Sequence, residues 1–413
     1  MIVLYDDARA RSFEPFATSR PLGEMRAGAL LIRERWESVL HAPATAFVSS
    51  PHLDGFSEFD APPALRALEG DGAWLVNTRA LPYLSPGAIH APVLTIGGEV
   101  AAMRVTPSLL GVVGTVLRDG SYALTNAYAV PDGSGADSEV QELEGVWLED
   151  VWDVVAQLSP LLLRDIEPLA QSLRAVPLGR DAGATIIGVH PVYVESGATV
   201  EPMTVFDTTA GPVLLRQGSH VQAFTRVIGP CYVGRDSVLM ADRIAASSIG
   251  DTCRVHGELS SSVFIGHANK GHDGFVGHSV LGRWVNLGAG TITSNLKNTY
   301  GAVALWTPDG VRHTGMQFLG TLFGDHVKTG IGLRLTTGCV LGAGANVFDA
   351  MPPKAVAPFA WGGHAPYATF AADKFVDTAS RMMARRHITL AAESRAWWMD
   401  VHARAARDTR WPR

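Results

Sequence analysis

The chain of 413 residues holds only three cysteines, Cys231, Cys253 and Cys339, too few and too far apart for a disulfide framework or a zinc pattern. They read as small buried hydrophobes of a reducing cytoplasm. Long apolar runs are absent too: none approaches the roughly 18 uninterrupted residues of a membrane helix. Met1-Ile-Val-Leu-Tyr-Asp-Asp has no basic n-region or small-residue cleavage site, so the start reads as a strand and not as a signal peptide. Basic charge is in deficit, with 34 Lys and Arg against 40 Asp and Glu and a net charge of −6. That balance argues against nucleic acid and against an anionic membrane as partners. What remains is a cytoplasmic globular protein, 47% apolar and 18% charged, long enough for two or three domains.

Glycine is what the chain has in plenty: 43 residues, concentrated after residue 179. The enrichment divides the molecule, because glycine is favoured where a backbone turns tightly or takes positive φ. Residues 1–180 read as a mixed α/β domain. IVLYD (2–6), ATAFVSS (44–50) and AWLVNTR (73–79) are strand candidates, and Ala27 to Leu40 has Leu30, Leu31, Trp36, Val39 and Leu40 at near-helical spacing. Strands alternating with helical stretches favour a largely parallel sheet. Val151 to Leu173 looks helical, but Pro160 and Pro168 are expected to break it into a connector.

From 181 to 355 the period changes to six. Val194, Val200 and Phe206 stand six apart, as do Leu215, Val221 and Val227, and pairs such as Ile249/Val255, Leu281/Leu287 and Leu341/Val347. A glycine often follows the aliphatic residue. This is the hexapeptide signature of a parallel β-helix, in which each hexad forms one face of a triangular coil and coils stabilise one another by stacking. Between Asn295 and Gln317 the repeat lapses, which predicts a loop or β-excursion; it resumes near Phe323. The glycine clusters GVVG (111–114) and GAGAN (342–346) read as turn and hexad residues. Residues 356–413 form the last segment, where Thr369 to about Ala405 reads as one long amphipathic helix. Its Arg385-Arg386 pair reads as a solvated face before a phosphate contact.

The stretch Lys270–Asn298, KGHDGFVGHSVLGRWVNLGAGTITSNLKN, combines the repeat with a histidine and two asparagines. It resembles the acetyltransferase core of the GlmU family, bifunctional glucosamine-1-phosphate acetyltransferases and N-acetylglucosamine-1-phosphate uridyltransferases. There K-x-G-H-x-x-Y-x-G precedes V-N-I-G-A-G-T-I-T-C-N-Y. The opening DDARARSFEPFATSRPLGEMRAGALLIRERWE, SNLKNTYGAVALW and the WGGH at 361–364 are similar to a GlmU-like subgroup of sugar nucleotidyltransferases. The resemblance implies a nucleotidyltransferase-like α/β domain, degenerate in its motif, then a left-handed β-helix and a C-terminal helix. It implies a homotrimer using acetyl-CoA as donor and a sugar phosphate or nucleotide sugar as acceptor, in UDP-N-acetylglucosamine biosynthesis for the cell envelope. Residue by residue, it assigns His272 as catalytic base and Asn286, Asn295 and Lys270 as substrate-binding. Ala289 falls on the alanine associated with acetyl-CoA. The family tyrosines are replaced by Phe275 and Leu296, which leaves the acceptor open.

A neutral histidine, with its usual pKa of about 6.5, suits proton removal from an attacking sugar amine or hydroxyl at neutral pH. In the N-terminal half the family's glycine-rich phosphate loop is replaced by Asp6-Asp7-Ala8-Arg9, and Thr78-Arg79 stand where a metal-binding aspartate is expected. Arg9, Arg11, Arg20 and Arg26 are the candidates for a nucleotide or sugar phosphate, with Mg2+ required only if this domain is active. Three further readings stay open: a bifunctional enzyme, a non-catalytic β-helix binding protein, and a metal enzyme using His267, His272 and His278.

Overall fold

The computed structural model describes residues 1–65, 72–85, 87–105, 139–179 and 183–412; the GVVG cluster lies outside them. The chain divides into two compact units, one of Met1–Phe13, Ser19–Met25 and Leu30–Val151, the other of Glu14–Thr18, Arg26–Ala29 and Trp152–Arg413.

The first unit is built on six strands: β1 (Ile2–Tyr5), β2 (Ala44–Val48), β3 (Trp74–Asn77), β4 (Val93–Ile96), β5 (Glu99–Arg104) and β6 (Val140–Glu142). Their order in the sheet is β2-β1-β3-β5-β4-β6. β1 runs parallel to both neighbours and is buried along its whole length, the reason its sequence is an unbroken apolar run. The expected parallel pairing holds around β1 and between β4 and β6. β5 is antiparallel to β3 and β4, because Gly97-Gly98, at φ 61° and 79°, closes a tight hairpin between β4 and β5. The helix expected from residue 27 begins later, as α1 (Ile32–Leu40), where Glu34 Oε2 accepts the Leu31 backbone N–H at 2.8 Å.

In the second unit the connector expected to break at its prolines is helical. After a short turn at Asp153–Ala156 comes α2 (Leu158–Ser172), with Pro160 in its first turn and Pro168 inside it. A first-turn proline forfeits no hydrogen bond, since the first N–H groups of a helix have no intrahelical acceptor. Pro168 does forfeit one, and the burial of Leu158, Leu161, Leu162 and Ile166 holds the helix together across it.

The hexad repeat forms a parallel β-solenoid with three sheets. The first runs from Val192–Val194 through Val213–Leu215 and Cys231–Val233 to Ala355–Val356. The second runs from Thr185–Ile187 to Phe275–Gly277. The third runs from Thr199–Val200 to Asn269–Lys270 and, through bridges at Asn286, on to Lys328–Thr329 and Ala360–Gly362. Phe206, Val221, Val227, Val233, Leu239, Ile249, Val255, Leu281 and Val347 are all fully buried in one continuous core. Coils are not uniform. Val213 pairs with Cys231 and Thr321 with Cys339, three whole hexads on, whereas Ser248 pairs with Val263 and Val263 with Val280, so corners are trimmed. Val280 next pairs with Leu322, because the chain leaves the coil for the predicted excursion, an antiparallel hairpin of Ala304–Thr307 and Gly310–His313. An antiparallel strand lies at each end: Val176–Pro177 against Val192–Val194, and Ala368–Thr369 against Ala360–Gly362.

One corner is lined by residues with left-handed backbone: Asp236, Thr252, His267, Trp284, His326 and Phe359, at φ between 54° and 64°. That conformation costs a non-glycine residue about 1 kcal/mol. Here the aromatic ones recover it by stacking, His267 on Trp284 at 4.5 Å and His326 beside Trp398 at 5.1 Å. The expected single C-terminal helix is two, α3 (Ala372–Ala384) and α4 (Ala392–Ala405), interrupted at His387, φ 59°. Phe375 and Trp398 from the two helices pack on Phe359 and His326 of that corner. The three cysteines are free and buried, and burial pushes the Cys231 thiol up to about 12 and Cys253 to about 11.

Candidate functional site

At a second corner, the third sheet turns into the second, and glycine dominates. A Cβ on Gly274, φ 125°, would meet the Thr291 carbonyl oxygen at 2.3 Å, so only glycine lets these coils stack there. The turn leaves His272 and Asp273 exposed on its outside. His272 lines a cavity of about 740 Å³ with His256, Asp273, Ala289, Ile331 and Gly332. His272 and Ala289, separated in sequence by a whole coil, are therefore brought together. A second cavity of about 590 Å³ adjoins it along the same corner, lined by Phe224, Arg226, Asp242, Asp273 and Phe275 among others.

Lys270 lies beneath this corner and not in the cavity. Its side chain is buried, and its Nζ donates to the carbonyl oxygens of His256 and His272, clamping the two turns together. Burial lowers its pKa from the usual 10.5 to about 8. Asn286 is half-buried one coil above Asn269 and accepts a hydrogen bond from the Asn269 Nδ2 at 2.8 Å, the ladder that asparagines form along stacked coils. Asn295 sits at the other end of the strand Phe275–Gly277, where its Nδ2 meets His278 Nδ1 at 2.8 Å. Phe318 stacks on that imidazole at 5.3 Å, and burial lowers the His278 pKa. Within one chain, then, His272 and Asn295 occupy opposite ends of one face.

The three histidines offered as metal ligands are not gathered. His267 is packed on Trp284, and burial drives its pKa down to about 3. Among the described residues the side chains placed to hold a metal ion are instead Asp242, His256 and Asp273, whose ligand atoms lie within 4.8 Å of one another. Sequence reading missed this trio. The signal was present in the register, since the three residues fall at the same corner of three successive coils.

In the first unit, Asp6 is fully buried and accepts from Ser49 Oγ, Thr78 Oγ1 and the Leu22 N–H at 2.6, 2.6 and 3.0 Å. Burial raises its pKa in spite of those bonds. Asp7 is held by the Arg79 guanidinium, 2.8 Å away, with Asn77 and the Ala10 N–H, and its pKa stays below the usual carboxylate range. The arginines proposed for phosphate do not converge. Arg9 pairs with Glu149 and Asp150, Arg11 donates to the Asp6 carbonyl, and Arg20 is buried against Glu58 and the Glu24 carbonyl. Arg26, in the second unit, is buried over the Tyr232 ring.

Residues 2–173 match the sequence model of the sugar nucleotidyl transferase family. The bifunctional protein GlmU of Methanococcus vannielii is 31% identical over 121 residues, 29% of this chain and 27% of the relative. GlmU of Desulfitobacterium hafniense is 24% identical over 265 residues, 58% of this chain and 54% of the relative. A bifunctional sugar-1-phosphate nucleotidylyltransferase/acetyltransferase of Sulfurisphaera tokodaii is 33% identical over 91 residues, 22% of this chain and 23% of the relative. The chain thus spans from about a quarter to just over half the length of these relatives.

Proposed function

We propose that this chain is a GlmU-like protein whose solenoid is a cytoplasmic acyltransferase moving an acetyl group from acetyl-CoA to an amino-sugar phosphate or nucleotide sugar. One observation supports the reading above the rest: His272 and Ala289, the positions that match the family's base and its acetyl-CoA-associated alanine, line one open cavity. The neutral imidazole of His272 takes a proton from the acceptor nitrogen or oxygen as that atom attacks the thioester carbonyl. The tetrahedral intermediate then expels the thiolate, and the imidazolium returns the proton to sulfur. Lys270 holds the His272 turn from below, and Asn286 and Asn295 orient sugar hydroxyls without adding charge. Because Asn295 stands at the far end of the face, the working site needs a neighbouring copy, which fits a homotrimer; exposed Phe224 and Ile331 are apolar surface such a copy would cover.

The test is thiol release from acetyl-CoA with a panel of amino-sugar phosphates and nucleotide sugars, wild type against His272→Ala. Acceptor-dependent release lost in the variant sustains the reading. Equal inactivity of both proteins across the panel overturns it.

The family match over residues 2–173 favours a second activity, sugar-1-phosphate nucleotidyl transfer toward UDP-N-acetylglucosamine. The residues at that place do not fit Mg2+, since Asp6 and Asp7 both spend their oxygens on neighbours within the fold. Calorimetry with UTP and Mg2+ decides it, and absence of heat with UTP and UDP-sugars leaves the unit a structural or binding domain.

A further inference from the structure

Two carboxylates stand at the rim of a cavity that, on the reading above, admits two anionic substrates. Asp273 lines both cavities of the corner, Asp242 lines the second and His256 the first. The imidazole of His256 lies between the carboxylates, its Nδ1 3.3 Å from Asp273 Oδ1 and its Nε2 3.9 Å from Asp242 Oδ2. Nδ1 is buried, yet it has no hydrogen-bond partner among the described residues. That nitrogen meets Asp273 as a charge contact without a well-aligned hydrogen bond, so it is free to turn toward an ion held by the two exposed carboxylates.

We propose that Asp242, His256 and Asp273 bind a first-row divalent cation such as Mn2+ or Zn2+. The donor set selects the class: one imidazole nitrogen with two carboxylate oxygens suits these ions, whereas Ca2+ and Mg2+ prefer oxygen throughout. The ligand atoms, within 4.8 Å of one another, need only a small contraction to meet at one ion. The positions open to solvent remain for water or for a substrate oxygen. Each ligand comes from a different coil, so the ion also staples three coils together at the corner. Lys270, which donates to the His256 carbonyl, fixes the turn that presents the imidazole. The role of the ion follows from the acyl-transfer reading: it turns a rim that repels phosphate into one that attracts it. The site itself does not depend on that reading.

The experiment uses the full chain stripped with a chelator and titrated with MnCl2, following the free-ion signal by electron paramagnetic resonance, with ZnCl2 calorimetry in parallel. The expected result is one equivalent of Mn2+ taken up per chain, with binding weakened at least roughly tenfold in Asp242→Asn and in Asp273→Asn. The isosteric substitutions keep the volume of each side chain, and His256→Gln supplies a third variant should either aspartate prove necessary for folding. No uptake of either ion at millimolar concentration overturns the proposal, as does equal binding by all three variants. Either result would leave His256 a contact between the two carboxylates and no more. Uptake without any thiol release keeps the cation site and removes the acyl-transfer reading; thiol release without uptake does the reverse.

Discussion

Two of the places among the described residues where charged side chains crowd together use their charge in opposite ways. Around Asp6 and Asp7 in the first unit, the oxygens are matched to donors of the same unit: Ser49, Thr78, Leu22, Ala10, Asn77 and Arg79. Around His272 at the solenoid corner, donors and acceptors are left facing solvent or a cavity. Satisfied polar groups stabilise a fold and are poorly placed to bind anything else, whereas unsatisfied ones cost stability and are available. The family resemblance covers both regions, but the physical chemistry favours the second as the working site.

That contrast can be broken by experiment. His272→Ala should cut acetyl transfer by about 10²–10⁴-fold, the usual contribution of a general base, while moving the unfolding free energy by less than about 0.5 kcal/mol, as exposed substitutions do. Arg79→Met should behave inversely. It leaves the largely buried Asp7 carboxylate without its cation, at about 3 kcal/mol of stability in a urea titration, with acetyl transfer by the solenoid unchanged. A large activity loss in Arg79→Met, or a large stability loss in His272→Ala, would reverse the assignment.

Lys270 tests the boundary between the two behaviours. Its folded-state pKa, about 8 against the usual 10.5, means that the unfolded chain holds more protons between those pH values. Stability should therefore rise with pH across that window, the penalty being fully present below pH 8. Lys328, lowered in the same direction, adds to the rise. In Lys270→Met the rise measured by urea midpoints should shrink without vanishing; an unchanged slope would mean that the Lys270 ammonium is not desolvated. The smallest effect belongs to Asn286→Ala, about 1 kcal/mol from the lost bond to Asn269. A KM increase beyond that cost would add a substrate contact to the ladder.

Much of this was legible in the chain because solenoid cores repeat their demands. Phe206, Val227 and Val255 had to be apolar at a fixed interval, and the interval shows. β1 was legible for a related reason, since a strand buried on both faces has no polar positions. What stayed hidden depended on context. Pro168 breaks a helix in isolation but not one pinned by four buried aliphatic residues, and the left-handed turn at His387 is made by a residue that carries no glycine-like signal. In the site, the expectation for His272 came from its surroundings in sequence, whereas His256 acquires meaning only from Asp242 and Asp273, one coil below and one above. For the four N-terminal arginines the charge was visible in the sequence, whereas their partners within the fold were not.

The reversed strands at the two ends of the solenoid have a consequence for the life of the protein in a crowded cell. A stack of parallel rungs has no inherent stopping point, and an open rung offers unpaired N–H and C=O groups to any strand of matching register. Val176–Pro177 and Ala368–Thr369 run against that direction, and the first of them places a proline, which lacks an N–H, on the outermost edge. A second molecule arriving end-on therefore meets, on one of the three faces at each end, a reversed strand that interrupts the parallel register. One blunted face at each end breaks the three-sided register that end-to-end growth of the stack would need.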